Sequence, residues 1–158
     1  MTAYRIQLIR TPIAEPRVDM THPDEVAGFC QGLSRLDREH LVRIDLDVRC
    51  RVIGYEHVSV GTSDYLVISP RHVFTGALLI GARQCVLVHN HPSSGEAEPS
   101  DEDLKTAQRL SEAGELLDLT VVDFLIIGDH GRYWSQQLGY RRVSGTPSAQ
   151  MDLRNFTH

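Results

Sequence analysis

Lysine is almost missing from this chain: of its sixteen cationic residues only Lys105 is a lysine, and the rest are arginines. No lysine-rich patch is therefore available for an anionic membrane surface. Sixteen cations against twenty-one acids give a net charge of −5, the wrong sign for a default nucleic-acid-binding domain. Cysteine is scarce as well. Cys30, Cys50 and Cys85 are odd in number, far apart and without a C-x-x-C pair, which argues against a disulfide scaffold and a thiolate zinc site. No apolar run reaches the roughly 20 residues needed to cross a bilayer, and Met1 to Arg10 lacks the basic-then-apolar pattern of a signal peptide. These absences read as a soluble, cytoplasmic protein. There is no internal repeat and no low-complexity segment. What is present is ordinary: 158 residues, 41% hydrophobic and 23% charged, enough for one domain with a real core.

The pattern predicts an α/β fold with a single mixed sheet flanked by helices. Residues 1–20, broken by Pro12 and Pro16, read as an N-terminal arm that includes a short strand over Tyr4 to Ile9. Pro23, Asp24 and Glu25 open a helix whose Val26, Phe29, Cys30 and Leu33 recur at helical spacing. Val42, Ile44, Leu46 and Val48 alternate with polar residues, as in a half-buried strand, and Arg51 to Val60 reads as its hairpin partner. Ser69-Pro70 starts a helix that ends near Gly81. Cys85 to Val88 is apolar throughout, as expected of a central strand. Ser100 opens a helix of about seventeen residues, Thr120 to Ile127 forms another strand, and Tyr133-Trp134 adds an edge strand. From Arg141 onward the composition turns polar, so residues 141–158 are expected to fray.

The chemistry is concentrated after the central strand. In His89-Asn90-His91-Pro92 the two histidines sit at i and i+2, so on extended backbone they face the same way, about 6–7 Å apart at the Cα atoms. Two imidazoles so placed can converge on one metal ion. Asp103, one turn into the next helix, is the candidate third ligand. Two histidines, one carboxylate and an open position is the composition of a catalytic zinc site rather than a closed structural one. Ser100 and Asp103 also form a Ser-x-x-Asp helix start, and a capping box explains that pair equally well. Glu96, Glu98, Asp101 and Glu102 are most simply solvated acids around a helix N-terminus. Glu56 stands in the middle of the face formed by Val52, Gly54, Val58 and Val60. A lone buried carboxylate is costly and needs a partner or a task. The task would be general base beside the metal; the competing explanation is a bulge that exposes it.

The run His89-Asn90-His91-Pro92, seven residues, Ser100, two residues, Asp103 matches the JAMM metalloprotease motif. More narrowly, the chain resembles the RadC-like JAB domain. The segments Leu36-Asp37-Arg38-Glu39-His40, Arg51-Val52-Ile53-Gly54, Val58-Ser59-Val60-Gly61-Thr62 and Leu125-Ile126-Ile127-Gly128-Asp129 carry that resemblance in order and spacing, over roughly residues 20 to 140. The domain is accordingly bounded at 21–140. The resemblance implies a cytidine-deaminase-like JAB/MPN fold with one zinc per chain, held by His89, His91 and Asp103. It places Glu56 as acid/base and Ser100 as support for the tetrahedral intermediate. The expected activity is peptide or isopeptide hydrolysis. Because JAMM relatives cleave ubiquitin-like modifiers, the implied substrate is the C-terminal tail of a small protein.

The match has departures. The metal loop is one residue longer than is common in RadC proteins, and Phe124 stands where many relatives carry histidine. The N-terminal helical region of full-length RadC has no counterpart in this sequence. Two other classes of function were weighed. One is a DNA-repair-associated protein or metal-dependent nuclease; the negative charge and the five acids from Glu96 to Asp103 oppose it, since they repel phosphates. The other is a non-catalytic interaction scaffold, opposed by the presence of every ligand type.

Overall fold

The computed structural model describes residues 19–60, 68–92, 94–144, 149–151 and 153. Helix α1 (Pro23–Cys30) runs into a 3-10 turn (Gln31–Arg35), then strands β1 (His40–Leu46) and β2 (Val52–Val60), helix α2 (Pro70–Ile80), strand β3 (Gln84–Asn90), helix α3 (Asp101–Leu116), and strands β4 (Thr120–Ile127), β5 (Arg132–Ser135) and β6 (Gly139–Arg142). The strands make one mixed sheet in the order β2-β1-β3-β4-β5-β6. Only β3 and β4 are parallel, the pair that α3 connects; every other neighbour is antiparallel. This is the α/β fold the sequence implied.

Strand alternation divides the core into two layers. Val42, Ile44, Leu46, Val86, Val88, Leu125 and Ile127 face α1 and its 3-10 extension. Leu41, Cys85, Leu87, Phe124 and Ile126 face the opposite way, against Val73, Phe74 and Ala77 of α2 and Ala107 and Leu110 of α3. Because β3 alternates by two, Cys85, Leu87 and His89 share the α2/α3 face, while Asn90 points to the α1 side. The Cys85 thiol is buried, and that burial pushes its pKa up to about 12, which leaves it inert.

The helix starts follow their capping chemistry. Glu25 of α1 accepts from the backbone N–H groups of Thr21 and His22 at 2.8 and 3.1 Å, and Pro70 occupies the start of α2. Ser69 takes the expected N-cap place but makes no side-chain capping bond. Gly81 closes α2 at φ +81°, a left-handed conformation that favours glycine.

Three sequence expectations change. The polar tail is not simply frayed: Gly139–Arg142 pairs with β5 as a sixth strand, and Met151 is buried with its N–H donating to Phe29 O at 2.9 Å. Met20, assigned to the arm, is also buried. Finally, β1 starts at His40, two residues earlier than its alternation suggested, and is buried along its whole length. The strand expected over Tyr4 to Ile9 lies outside the described residues. Among the described residues no helix is long and apolar enough to cross a membrane.

Candidate metal centre

His89 is the penultimate residue of β3, His91 follows the strand end, and Asp103 lies in the first turn of α3. The β3–α3 connection folds back so that one donor atom from each lies within 4.8 Å of the others. His89 Nε2 is 3.7 Å from Asp103 Oδ1, and His91 Nε2 is 3.3 Å from Asp103 Oδ2. Four-coordinate zinc with metal–ligand bonds near 2.1 Å separates its donors by about 3.4 Å. The three side chains therefore lie close enough together to share one ion. Their side chains are only 12–15% exposed, so an ion there would be shielded on the protein side.

Outer contacts fix the orientation of each group. His89 Nδ1 lies 2.9 Å from His40 O, and a proton on Nδ1 leaves the Nε2 lone pair aimed at Asp103. Asp103 Oδ2 accepts from Ser100 N at 2.8 Å and from Ser100 Oγ at 2.6 Å, while Asp103 N donates to Ser100 Oγ at 3.1 Å. The capping-box explanation of this pair is thus correct, and it also presents the Asp103 carboxylate to the histidines. Burial alone would raise the Asp103 pKa, but bonds from His91 and Ser100 outweigh it and hold the group well below the usual carboxylate range. The bond to Asp103 raises His91 against the effect of burial. Burial and the neighbouring His91 lower His89. A permanently ionised carboxylate beside a readily neutral imidazole suits a divalent cation.

The loop between the histidines and α3 is anchored on the β4–β5 connection. Gly95 N donates to His91 O at 3.0 Å, and Asp129 N donates to Gly95 O at 2.9 Å. Gly95 has φ +63°, and a Cβ there would lie 2.3 Å from Asp129 Oδ2. Arg132 and Glu96 close the outer side with an exposed ion pair at 3.1 Å.

The structure brings His89, His91, Asp103 and Ser100 together, but it does not bring Glu56 into that cluster. The expected buried carboxylate is 47% exposed on its side chain, and its partner is Arg43, whose Nη2 lies 2.7 Å away. The reason is local: the β1–β2 register shifts between Leu41 and Val42 and again between Asp45 and Leu46. Val52 consequently packs on the α1 side and Val58 on the α2 side, so the single apolar face assumed from alternation does not form. Arg43 itself, 1% exposed, is held by Asp45 at 2.7 Å as well as by Glu56. Asp123, next to Phe124, braces the β5–β6 turn, accepting from Ser135 Oγ at 2.6 Å and from Gln137 N at 3.3 Å.

Two residues near the centre escaped the sequence reading. Asn90, between the histidines, is fully buried on the opposite face. Its Oδ1 accepts from His40 N at 2.7 Å, and its Nδ2 donates to Leu33 O and Arg38 O at 2.8 and 3.1 Å. It ties the start of β1 to the metal strand. Glu39, an exposed acid immediately before β1, is the other. Its charge acts on both His89 and His91, favouring their protonated forms. The available signal was its place directly ahead of the strand that pairs with β3.

Comparison with known proteins agrees with this geometry. A family model described as the RadC-like JAB domain matches residues 20–140. A UPF0758 protein of Desulforamulus reducens is 42% identical over 118 residues, covering 74% of this chain and 52% of that protein. One from Thermotoga maritima is 40% identical over 115 residues, covering 73% and 51%. One from Methanosarcina acetivorans is 35% identical over 128 residues, covering 80% and 55%. The chain thus spans about half the length of the relatives it matches. With a matching six-stranded α/β architecture and a His-His-Asp cluster able to hold a metal ion, the chain belongs to the RadC-like JAB domain family.

Proposed function

We propose that this domain is a zinc-dependent hydrolase of peptide or isopeptide bonds, of JAMM type, acting on the C-terminal tail of a small protein such as a ubiquitin-like modifier. The observation that carries this reading is the donor set itself: two imidazoles and one carboxylate at 3.3–3.7 Å, with a fourth position left for water or substrate. Zinc bound there would polarise a carbonyl and bring the pKa of water down to roughly 7. The residues supply the remainder. His89, His91 and Asp103 would hold the ion. Ser100, whose hydroxyl proton rests on Asp103, can turn it toward the developing substrate oxyanion. A carboxylate on the α2/α3 face takes a proton from the attacking water and returns it to the leaving amine. Glu56 and Glu39 are the candidates for that part.

The five acids between Glu96 and Asp103 disfavour a polyphosphate substrate and favour a protein partner over nucleic acid. Free cysteines at 30, 50 and 85 fit a reducing compartment, and we place the protein in the cytoplasm. The test is cleavage of tail-reporter fusions, with linear and isopeptide linkages, by zinc-loaded protein. Activity should disappear with a chelator, return with zinc and be missing in His91→Ala. Fully zinc-loaded protein that cleaves no member of such a panel would count against the hydrolase reading.

A further inference from the structure

We propose that Arg142, on strand β6, forms a subsite for one acidic side chain of the peptide substrate, about four residues from the bond that is cut, a proposal that rests on the hydrolase reading above. Strand register places it. β3 and β4 pair in parallel as far as Asn90 and Ile127, and one further step sets His91 beside Gly128. Gly128 N donates to Arg132 O at 2.9 Å, and Arg132 pairs with Arg142 across the β5–β6 ladder. A row of His91, Gly128, Arg132 and Arg142 therefore runs along the end of the sheet that carries the metal cluster. Trp134 packs in the core layer beneath α2 and α3, and alternation by two puts Arg132 on that same face. Arg142, its cross-strand partner, shares the face with His89.

Arg142 is exposed, held in place and not neutralised. Its Nε donates to His130 O at 3.1 Å, and its stem passes Gly131, where an added Cβ would lie 3.9 Å from Arg142 Cγ. Among the described residues no carboxylate forms an ion pair with it. His130 presents that carbonyl from a left-handed conformation, φ +57°, which is uncommon outside glycine. Strain of this kind gathers at ligand clamps. Arg132 is already occupied: its guanidinium donates to Asp129 O, Gly95 O and Glu96, and so braces the metal loop. Two arginines directly opposed on adjacent strands repel one another, and Glu96 offsets only Arg132. A carboxylate on the Arg142 fork supplies the missing negative charge in the planar, bidentate geometry that a guanidinium favours.

Three strand spacings of about 4.8 Å separate β3 from β6, roughly 14 Å between backbones. An extended peptide advances about 3.3 Å per residue, so one lying across the strand ends covers that span in about four residues. The surrounding charge selects a single acid rather than a polyanion. Glu96, Glu98, Asp101, Glu102 and Asp103 occupy the metal loop and the first turn of α3 and repel negative charge close to the cluster. Arg142 stands outside that acidic stretch. Tyr140, two residues before Arg142 and on the same face, is bonded to Glu98 and 57% exposed. Its ring gives the stem of a bound glutamate an apolar surface beside the arginine.

Two readouts test this. A random peptide pool is digested by zinc-loaded wild type, Arg142→Gln and Arg141→Gln, and the cut products are read by mass spectrometry. Wild type should favour Asp or Glu over Asn or Gln about three to five residues from the cut, by roughly fivefold, the worth of a good exposed ion pair. Arg142→Gln should lose that preference. Arg141→Gln, which removes the same charge from the opposite face and whose guanidinium is bonded to Tyr140 O, should keep it. The second readout needs no cleavage: the Arg142 Nε–H resonance is followed by NMR as acetyl-Ala-Glu-Ala-amide or its Gln counterpart is added. The Glu peptide should move it and the Gln peptide should not. A resonance moved by the Glu peptide with no member of the pool cut keeps the subsite and counts against the hydrolase reading alone. Cleavage without an acid preference that Arg142→Gln removes, or a resonance the Glu peptide leaves in place, overturns the proposal. A resonance moved by a thymidine oligonucleotide and not by the peptide overturns it in favour of a nucleic-acid partner.

Discussion

Replacing Asn90 with alanine removes a device rather than a ligand. Three hydrogen bonds converge on its amide, at 2.7, 2.8 and 3.1 Å, and the side chain is fully buried. Alanine leaves His40 N, Leu33 O and Arg38 O without that partner. A typical hydrogen bond contributes about 1 kcal/mol net, and a buried orphaned group costs about 1–3 kcal/mol. Partial relaxation keeps the total near 2–4 kcal/mol, a large fraction of a domain's usual 5–15 kcal/mol. For a chain of this size the melting point should fall by roughly 5–15 °C. Zinc affinity should fall too, because the same bonds hold His40, whose carbonyl orients His89 at 2.9 Å. Asn90→Asp should not rescue: it keeps the acceptor for His40 N but loses both donations and buries a charge. Urea unfolding with and without zinc, together with a competitive zinc titration, measures both effects. A loss below about 0.5 kcal/mol with unchanged zinc affinity would refute the reasoning.

Arg43→Met should cost about 3–5 kcal/mol, because it strands the Asp45 carboxylate in the core. The double variant Arg43→Met/Asp45→Leu should recover a large part of that loss in urea unfolding, and a single variant as stable as wild type would show that the pair does not carry the load. Gly95→Ala should cost about 1–3 kcal/mol, given a φ of +63° and a Cβ 2.3 Å from Asp129 Oδ2. It should also weaken zinc binding by shifting the loop that His91 O anchors, and equal zinc affinity would contradict this. Zinc affinity should rise with pH by about tenfold per unit while one proton is displaced. That proton belongs to His91, raised above its ordinary 6.5 by Asp103, because Asp103 is already ionised and His89 is shifted toward its neutral form. In zinc-free protein the same pair stabilises below pH 6.5 and loses that contribution as the pH climbs through the raised value. A zinc affinity that stays flat between pH 6 and 7 would place the proton elsewhere.

The His-His-Asp cluster was legible because local spacing determines it: an H-x-H pair leaving a central strand and an acid one turn into the next helix need little tertiary information. The helices and β4 were legible for the same reason, through their caps and periodicity. Glu56 was not, because alternation assumes an unbroken ladder, and two register shifts in the β1–β2 pair divide its neighbours between the two faces. Arg43 and Asp45 read as the polar half of a half-buried strand, whereas both lie under α2 and neutralise one another. Strand β6 was hidden by its arginines, which a sheet edge accommodates with their charges in solvent. Asn90 and Glu39 act across long sequence separations, which only the paired strands reveal.

The central claim is that His89, His91 and Asp103 form one metal site and that neither candidate proton acceptor is a ligand. Metal content by mass spectrometry on wild type, His91→Ala, Asp103→Ala and Glu56→Gln tests it directly. The account predicts close to one zinc per chain in wild type and Glu56→Gln, and little in the two ligand variants. Wild-type protein free of metal after zinc has been supplied, or ligand variants that keep it, would contradict the account.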